Sequence, residues 1–350
     1  MHSTFIEING RKIGPGHPVY IIAEMSANHG QNFDEAVKII KEAKNAGADA
    51  IKLQTYTADT ITIDCNNEYF LIKNTIWKGK KLYDLYQEAY TPWEWQPKLK
   101  TIANDLGMDL FSSPFDFTAI KFLEEMNVPA YKVASFENVD FPLIKRIAKT
   151  GKPTIISTGM ASLSEISDAM KTFFDAGGKQ LALLKCTSSY PAKPEQANLK
   201  TIPNMYDTFK VPIGLSDHTI GITIPVAAVT LGACIVEKHF TLSRANDGPD
   251  SKFSLEPSEF KEMVDAVRTA EKSLGSVTYS PAGKETSSKN FRRSLFIVQD
   301  VKKGEEFTTE NIRSIRPSDG LHTKYYESII GKKSRKDVSR GTPLKWDLID

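Results

Sequence analysis

Short apolar runs alternate with stretches of helical periodicity through most of the chain. Residues 19–23, 50–54, 109–113, 130–135, 154–158 and 181–186 read as buried strands, and two further apolar runs begin at Val211 and Ala233. Between the first two, residues 32–46 form an amphipathic helix, with Ala36, Ile39, Ile40 and Ala43 on one face and Gly47 as its stop. Eight such units within about 270 residues predict an α/β fold, a closed (β/α)8 TIM barrel. An open doubly wound sheet would call for a Gly-rich turn after the first strand, and none is present.

Three segments depart from this rhythm. Residues 5–13 read as a hairpin turning at Asn9-Gly10. Residues 57–97 form a long insertion whose second half is dense in Tyr and Trp; a substrate wall or lid and an aromatic packing element both fit it. After Leu274 the pattern turns polar over 275–290, with Pro281 and Gly283, and reads as a linker. Residues 291–350 follow as a small β-rich domain, broken at Lys303-Gly304 and Arg340-Gly341 and too small for a large core. The expected organisation is therefore a barrel with its hairpin over 1–274, a linker over 275–290 and a β-rich domain over 291–350.

The seventh and eighth apolar runs each lead into a polar block, Ser216-Asp217-His218-Thr219 and Glu237-Lys238-His239. An Ala-rich helix over 222–231 separates them, so the two histidines, 21 positions apart, arrive at one rim as neighbours. Paired imidazoles suit a divalent metal, with Asp217 or Glu237 completing or orienting the site; two ordinary polar residues at strand ends are the alternative.

Composition narrows the partners. A formal net charge of +2 in 350 residues, without a basic block, argues against nucleic acid. The first residues lack a leader-like pattern and no apolar run reaches spanning length, so no membrane partner and a cytoplasmic location are expected. Cys65, Cys186 and Cys234 are too few and too scattered for a disulfide framework. Cys186 ends a strand and reads as small buried packing or as a nucleophile.

Barrel chemistry gathers at the carboxyl ends of the strands, which brings Glu24, Lys52, Ser113, Lys132, Ser135, Glu137, Ser157, Ser188, Tyr190, Ser216, His218, Glu237 and His239 into view. Lysines and hydroxyls around one cavity make an anion receptacle suited to phosphate. A Schiff-base lysine remains the competing use of Lys52 or Lys132.

These residues resemble the sialic acid synthase family in order and spacing. The matches are Ile22-Ala23-Glu24, Asn28-His29, Lys52-Leu53-Gln54, Lys132 to Glu137, Ser157-Thr158-Gly159-Met160, Cys186 to Pro191, Ser216 to Thr219 and Glu237 to Phe240. The tail, with Arg316-Pro317 and Gly331-Lys332, is similar to that family's antifreeze-like (SAF) domain.

The resemblance implies metal-dependent condensation of phosphoenolpyruvate with an N-acetylated amino-sugar aldehyde, yielding a nonulosonic acid and phosphate. It implies that Lys52, Lys132, Ser113, Ser135, Ser157, Ser188 and Ser216 hold phosphoenolpyruvate, and that His218 and His239 bind Mn²⁺ or Mg²⁺. It makes Glu24 the base or water-positioning group, with Tyr190 and Glu237 shaping the pocket and Glu137 and Asp250 contacting the sugar. Arg316 would reach the site of a second copy in a domain-swapped homodimer. Two positions depart from the family pattern: Ser188 stands where Asn is usual and Phe136 where Gly is usual. With the aromatic insertion, these point to the branch taking a 6-deoxy-2,4-diacetamido hexose of altrose configuration, ahead of those making N-acetylneuraminate or legionaminic acid. Aromatic walls suit a methyl and two acetamido groups better than a polyol.

Overall fold

Buried apolar runs spaced by helices close on themselves in the computed structural model, which describes residues 4–73, 78–246, 248–280, 283 and 285–350. An antiparallel hairpin comes first, β1 (Ile6–Ile8) and β2 (Arg11–Ile13), with Asn9 and Gly10 both at positive φ as its turn requires. Eight parallel strands follow: β3 (Tyr20–Glu24), β4 (Ala50–Thr55), β5 (Asp109–Pro114), β6 (Tyr131–Val133), β7 (Thr154–Ser157), β8 (Leu181–Cys186), β9 (Ile213–Asp217) and β10 (Ile235–His239). They form a closed barrel in the order β10-β3-β4-β5-β6-β7-β8-β9.

Closure places His239 opposite Glu24, and Glu24 opposite Lys52. Because side chains alternate along a strand, these residues share the inward face while their sequence neighbours point out. Ile21, Ile51, Leu53 and Val236 belong to an outer core with Ile39, Ile40 and Phe260 of the surrounding helices. Gly214 in β9 is required by close approach, since a Cβ there would lie 2.6 Å from Ile235 Cβ and 2.6 Å from Leu184 Cδ2.

Several boundaries differ from the sequence reading. The first helix is Phe33–Asn45, because Asn32 is extended and uses its side chain to accept from the Glu35 amide as the N-cap. Ser216 and Asp217 end β9, with His218 and Thr219 just beyond it, whereas Glu237, Lys238 and His239 all lie within β10. The fourth strand stops at Val133, and Ser135 opens a 3-10 turn, Ser135–Val139.

Within the insertion, Asn74, Thr75, Ile76 and Trp77 lie outside the described residues. The described parts contain helices Ala58–Ile61 and Leu82–Ala89, held by edge-to-face contacts of Tyr56 with Tyr86 and with Phe115, and of Trp95 with His29 and Phe33. The aromatic packing element is thus present. His29 is buried within it, and burial pushes its imidazole down to about 4, so it is a neutral structural residue.

By compactness the chain divides into two units, Met1–Gly275 and Ser276–Asp350. The stretch expected as a linker includes a helical turn, Glu285–Ser288; Pro281, Ala282 and Lys284 lie outside the described residues. The second unit pairs β11 (Ser294–Ile297) with β12 (Ile312–Ile315). It carries a small core of its own that includes Leu295, Ile297, Phe307, Ile312, Ile329 and Leu344. Among the described residues no helix is long and apolar enough to cross a membrane.

Candidate active site

Four ionisable side chains from four strands meet inside the carboxyl end of the barrel. Lys52 Nζ lies 2.6 Å from Glu24 Oε2 and 3.9 Å from Glu237 Oε2, and Lys132 Nζ lies 3.8 Å from Glu237 Oε1. All four are buried. The lysines read from sequence as a bare anion receptacle are therefore already balanced by two carboxylates.

Buried ionisable groups resolve into a definite charge state. Burial pushes the Glu24 carboxyl up, and Lys52 only partly opposes it. Burial also pushes Glu237 up, but Lys132 and Lys52 together with the Ser216 hydroxyl outweigh it, so its net shift is downward. Lys132 is lowered by burial, whereas at Lys52 the two carboxylates overcome the same effect and raise it. Glu24 is thus the group in this cluster poised to take a proton.

Hydroxyls surround the ammonium groups. Lys132 donates to Ser157 Oγ at 2.7 Å, Lys52 to Ser113 Oγ at 3.5 Å, and Ser216 to Glu237 Oε1 at 2.9 Å. Ser135 and Ser188 lie 2.9 Å apart, oxygen to oxygen. Beneath them Gly159 sits at φ +47°, where a Cβ would stand 2.5 Å from Ser135 Cβ and 2.7 Å from Ser188 Oγ. Glycine is thus required here by close approach to both serines.

The imidazoles of His218 and His239 face each other with centroids 5.4 Å apart. His218 also packs against the tilted ring of Tyr190 at 4.4 Å, and His239 makes an edge-to-face contact with Phe253 at 5.0 Å. Nδ1 of His218 donates to the Thr187 carbonyl at 2.9 Å, which leaves Nε2 as the basic nitrogen. Burial drives His239 well below the usual imidazole range, with His218 and the nearby lysines adding to it, so it is neutral. Its Nδ1 is buried without a hydrogen-bond partner. At His218 burial favours the neutral ring, but Cys186, the Thr187 carbonyl and Asp217 outweigh it and raise the imidazole, so this ring must give up a proton before its Nε2 can join the neutral His239 in holding a divalent metal, a donor pair that fits such an ion. Among the described residues no third His, Cys, Asp or Glu completes a clustered ligand set.

Of the two roles expected of Asp217, completing the site or orienting it, its contacts fit the second, because it lies behind the rings rather than between them. It is the outward residue between Ser216 and His218, and it accepts from Lys238 Nζ at 2.5 Å and from Thr219 Oγ1 at 3.0 Å. Cys186 faces inward, its sulfur 3.9 Å from His218 Nδ1, buried as small packing against the ring.

The remaining candidates lie around the mouth. Glu137 sits on the Ser135–Val139 turn; burial pushes its carboxyl up to about 7, and its Oε2 has no hydrogen-bond partner. Asp250 follows β10 and accepts from Ser26 Oγ. The fields of Asp250 and Glu24 reach Tyr56, just before the insertion, and that of Glu137 reaches Tyr86 within it; the two rings meet edge to face at 5.6 Å. Phe136 is exposed. Arg316, exposed, belongs to the second unit and directly follows β12.

Sequence reading did not single out Gln54, Ser26 and Phe253. Gln54 donates to Glu24 Oε1 at 3.0 Å and to Ser26 Oγ at 2.9 Å. Counting two residues on from Lys52 along β4 would have placed it on the inward face; no pattern marks Ser26 or Phe253.

The NeuB family model matches residues 39–279, and the SAF domain model matches residues 292–350. The chain is 47% identical to a pseudaminic acid synthase of Campylobacter jejuni, covering 93% of this chain and 95% of the relative. It is 43% identical to a pseudaminic acid synthase of Helicobacter pylori, covering 95% and 98%. The crystal structure of an N-acetylneuraminic acid synthetase from Leptospira borgpetersenii superposes with a TM-score of 0.73 at 34% identity, covering 82% of this chain and 96% of that one. A barrel whose inward residues gather two lysines, two carboxylates and two imidazoles, followed by a SAF domain, belongs to the NeuB family.

Proposed function

We propose that the chain is a synthase that condenses phosphoenolpyruvate with 2,4-diacetamido-2,4,6-trideoxy-altrose, giving pseudaminic acid and phosphate. The observation that carries this reading is the convergence of Lys52 and Lys132 on Glu237 beside the facing rings of His218 and His239. The Campylobacter and Helicobacter relatives, both pseudaminic acid synthases, support the choice of sugar. So does the aromatic wall of Tyr56 and Tyr86 beside Asp250 and Glu137.

In this reading Lys52, Lys132 and the hydroxyls of Ser113, Ser135, Ser157, Ser188 and Ser216 hold the phosphate and carboxylate of phosphoenolpyruvate. His218 and His239 hold a divalent ion, Mn²⁺ or Mg²⁺, which supplies Lewis-acid polarisation of the sugar aldehyde. Tyr190 fixes the His218 ring by packing against it, and Glu137 and Asp250 orient sugar hydroxyls.

The methylene carbon of phosphoenolpyruvate attacks the aldehyde carbon, forming the new C–C bond, while the carbonyl oxygen takes up a proton. Water adds to the former enol carbon and gives its proton to Glu24, whose raised carboxyl range suits that role. The resulting hemiketal phosphate expels phosphate by C–O cleavage and leaves the keto acid.

The reading also assigns Arg316 to the sugar site of a second copy in a domain-swapped homodimer, on the strength of its exposure and the SAF match. The deciding experiment offers phosphoenolpyruvate with N-acetylmannosamine and both 2,4-diacetamido isomers, and follows product mass and phosphate release. Turnover of the altrose isomer is expected. Exclusive use of N-acetylmannosamine or of the isomer leading to legionaminic acid would transfer the chain to those branches.

A further inference from the structure

Ser26 occupies a backbone conformation that its side chain disfavours. It lies two residues beyond the catalytic Glu24, buried, with φ +45°. Left-handed backbone at positive φ crowds a Cβ against the following carbonyl, so glycine is the residue such a position selects on conformational grounds. A serine kept there points to a use for the hydroxyl.

That use is visible in its contacts. Ser26 Oγ accepts from Gln54 Nε2 at 2.9 Å and donates to Asp250 Oδ2. The same Gln54 nitrogen donates to Glu24 Oε1 at 3.0 Å. One hydroxyl therefore joins Glu24 and Gln54, on β3 and β4, to Asp250 in the loop after β10. Adjacent bonds reinforce the tie: Asp250 also accepts from the Ala27 backbone, and Asn28 donates to the Phe240 carbonyl and to Ser254 Oγ, both at 2.9 Å.

We infer that Ser26 is a positioning residue that sets substrate specificity: through Asp250 and Gln54 it fixes the acceptors and donors presented to the sugar hydroxyls. The inference rests on the proposed condensation and on Asp250 as a sugar contact. Glycine at this position would relax the backbone but release Asp250 from Gln54. The sugar side of the pocket would then adapt to hydroxylation patterns that the serine relay rejects, while the phosphate side, built on Lys132, Ser157 and Ser188, would be untouched.

The test compares steady-state kinetics of the full-length wild type, Ser26→Gly, Asp250→Ala and the double variant, with phosphoenolpyruvate and the altrose-configured diacetamido sugar varied in turn. A hydrogen bond to a carboxylate is strong enough that Ser26→Gly should raise the sugar KM about tenfold. The KM for phosphoenolpyruvate should stay within about twofold, and the unfolding temperature should hold or rise because the strained position is relieved. In the Asp250→Ala background the Ser26→Gly effect on sugar KM should largely vanish, since groups acting through one contact are not additive. Wild-type turnover with an unmoved sugar KM in Ser26→Gly overturns the inference alone, as does an equal rise in both KM values. A wild type that releases no phosphate with any sugar of the panel overturns the proposed function and this inference with it.

Discussion

Lys238 Nζ donates to Asp217 Oδ2 at 2.5 Å, and both side chains are withdrawn from solvent. Each precedes one of the paired histidines by one position, so the ion pair ties β9 to β10 on the outer face directly behind the two rings. The same ammonium donates to the Thr219 carbonyl, and Thr219 N and Oγ1 in turn donate to Asp217. The polar positions adjoining His218 and His239 thus fix the backbone that aims them.

Removing one partner of such a pair leaves a buried charge without compensation. Lys238→Met should destabilise the protein by about 3–5 kcal/mol, read by chemical unfolding, because Asp217 stays behind in an apolar setting. Lys238→Met combined with Asp217→Leu should recover most of that loss. A single variant as stable as wild type would contradict the pairing.

Gly159 is the second position with little tolerance. Alanine there combines an unfavourable φ of +47° with a Cβ 2.5 Å from Ser135 Cβ, so Ser135 and Ser188 must part. Gly159→Ala should raise the KM for phosphoenolpyruvate by about tenfold or more, since displacements near an ångström are felt strongly at a binding site. The KM for the sugar should change little. Calorimetric titration with phosphoenolpyruvate alone gives an independent reading, and unaltered affinity would remove the Ser135–Ser188 pair from the phosphate site.

The barrel was legible because the apolar runs and helices repeat in a fixed order, and the two histidines were legible because each closes such a run. What blurred the site was phase. Placing 216–219 and 237–239 at strand ends without fixing the phase of the strand left the facing of Asp217 open, whereas carrying β9 through Asp217 gives every second residue the opposite face. Continuing the same alternation along β4 from Lys52 reaches Gln54. Phe253, against both histidines, comes from a loop after β10 without periodicity, and the pairing of Lys52 with Glu24 follows from barrel closure, a relation between distant segments. The core of the second unit is small, and Phe307 and Leu344 reach it from non-strand segments that strand periodicity does not mark.

Glu137 should make stability depend on pH in a definable window. Its carboxyl is raised by burial from its usual 4.5 to about 7, so the folded chain holds this proton where the unfolded chain has lost it. The favourable contribution is fully present below 4.5 and is lost as pH rises through about 7. Glu137→Gln cannot ionise and lacks this titration. The variant should therefore gain stability relative to wild type between about pH 5 and pH 8, measured as the difference in unfolding temperature. A difference that is flat across that range would contradict the shifted carboxyl.

The histidine pair can be examined without turnover. A ligand that binds the folded state alone stabilises it by about 2.7 kcal/mol at one hundred times its dissociation constant, so saturating Mn²⁺ should raise the unfolding temperature of the wild type by several degrees. His239→Ala removes the ring whose Nδ1 is buried without a partner, and should abolish that metal-dependent rise together with activity. It should also cost some stability of its own, because His239 is only 8% exposed and packs against Phe253. The decisive quantity is consequently the difference between metal-loaded and chelated protein within each variant, where the packing loss cancels. An undiminished metal response in His239→Ala would remove this ring from the ion site and leave its role to packing against Phe253.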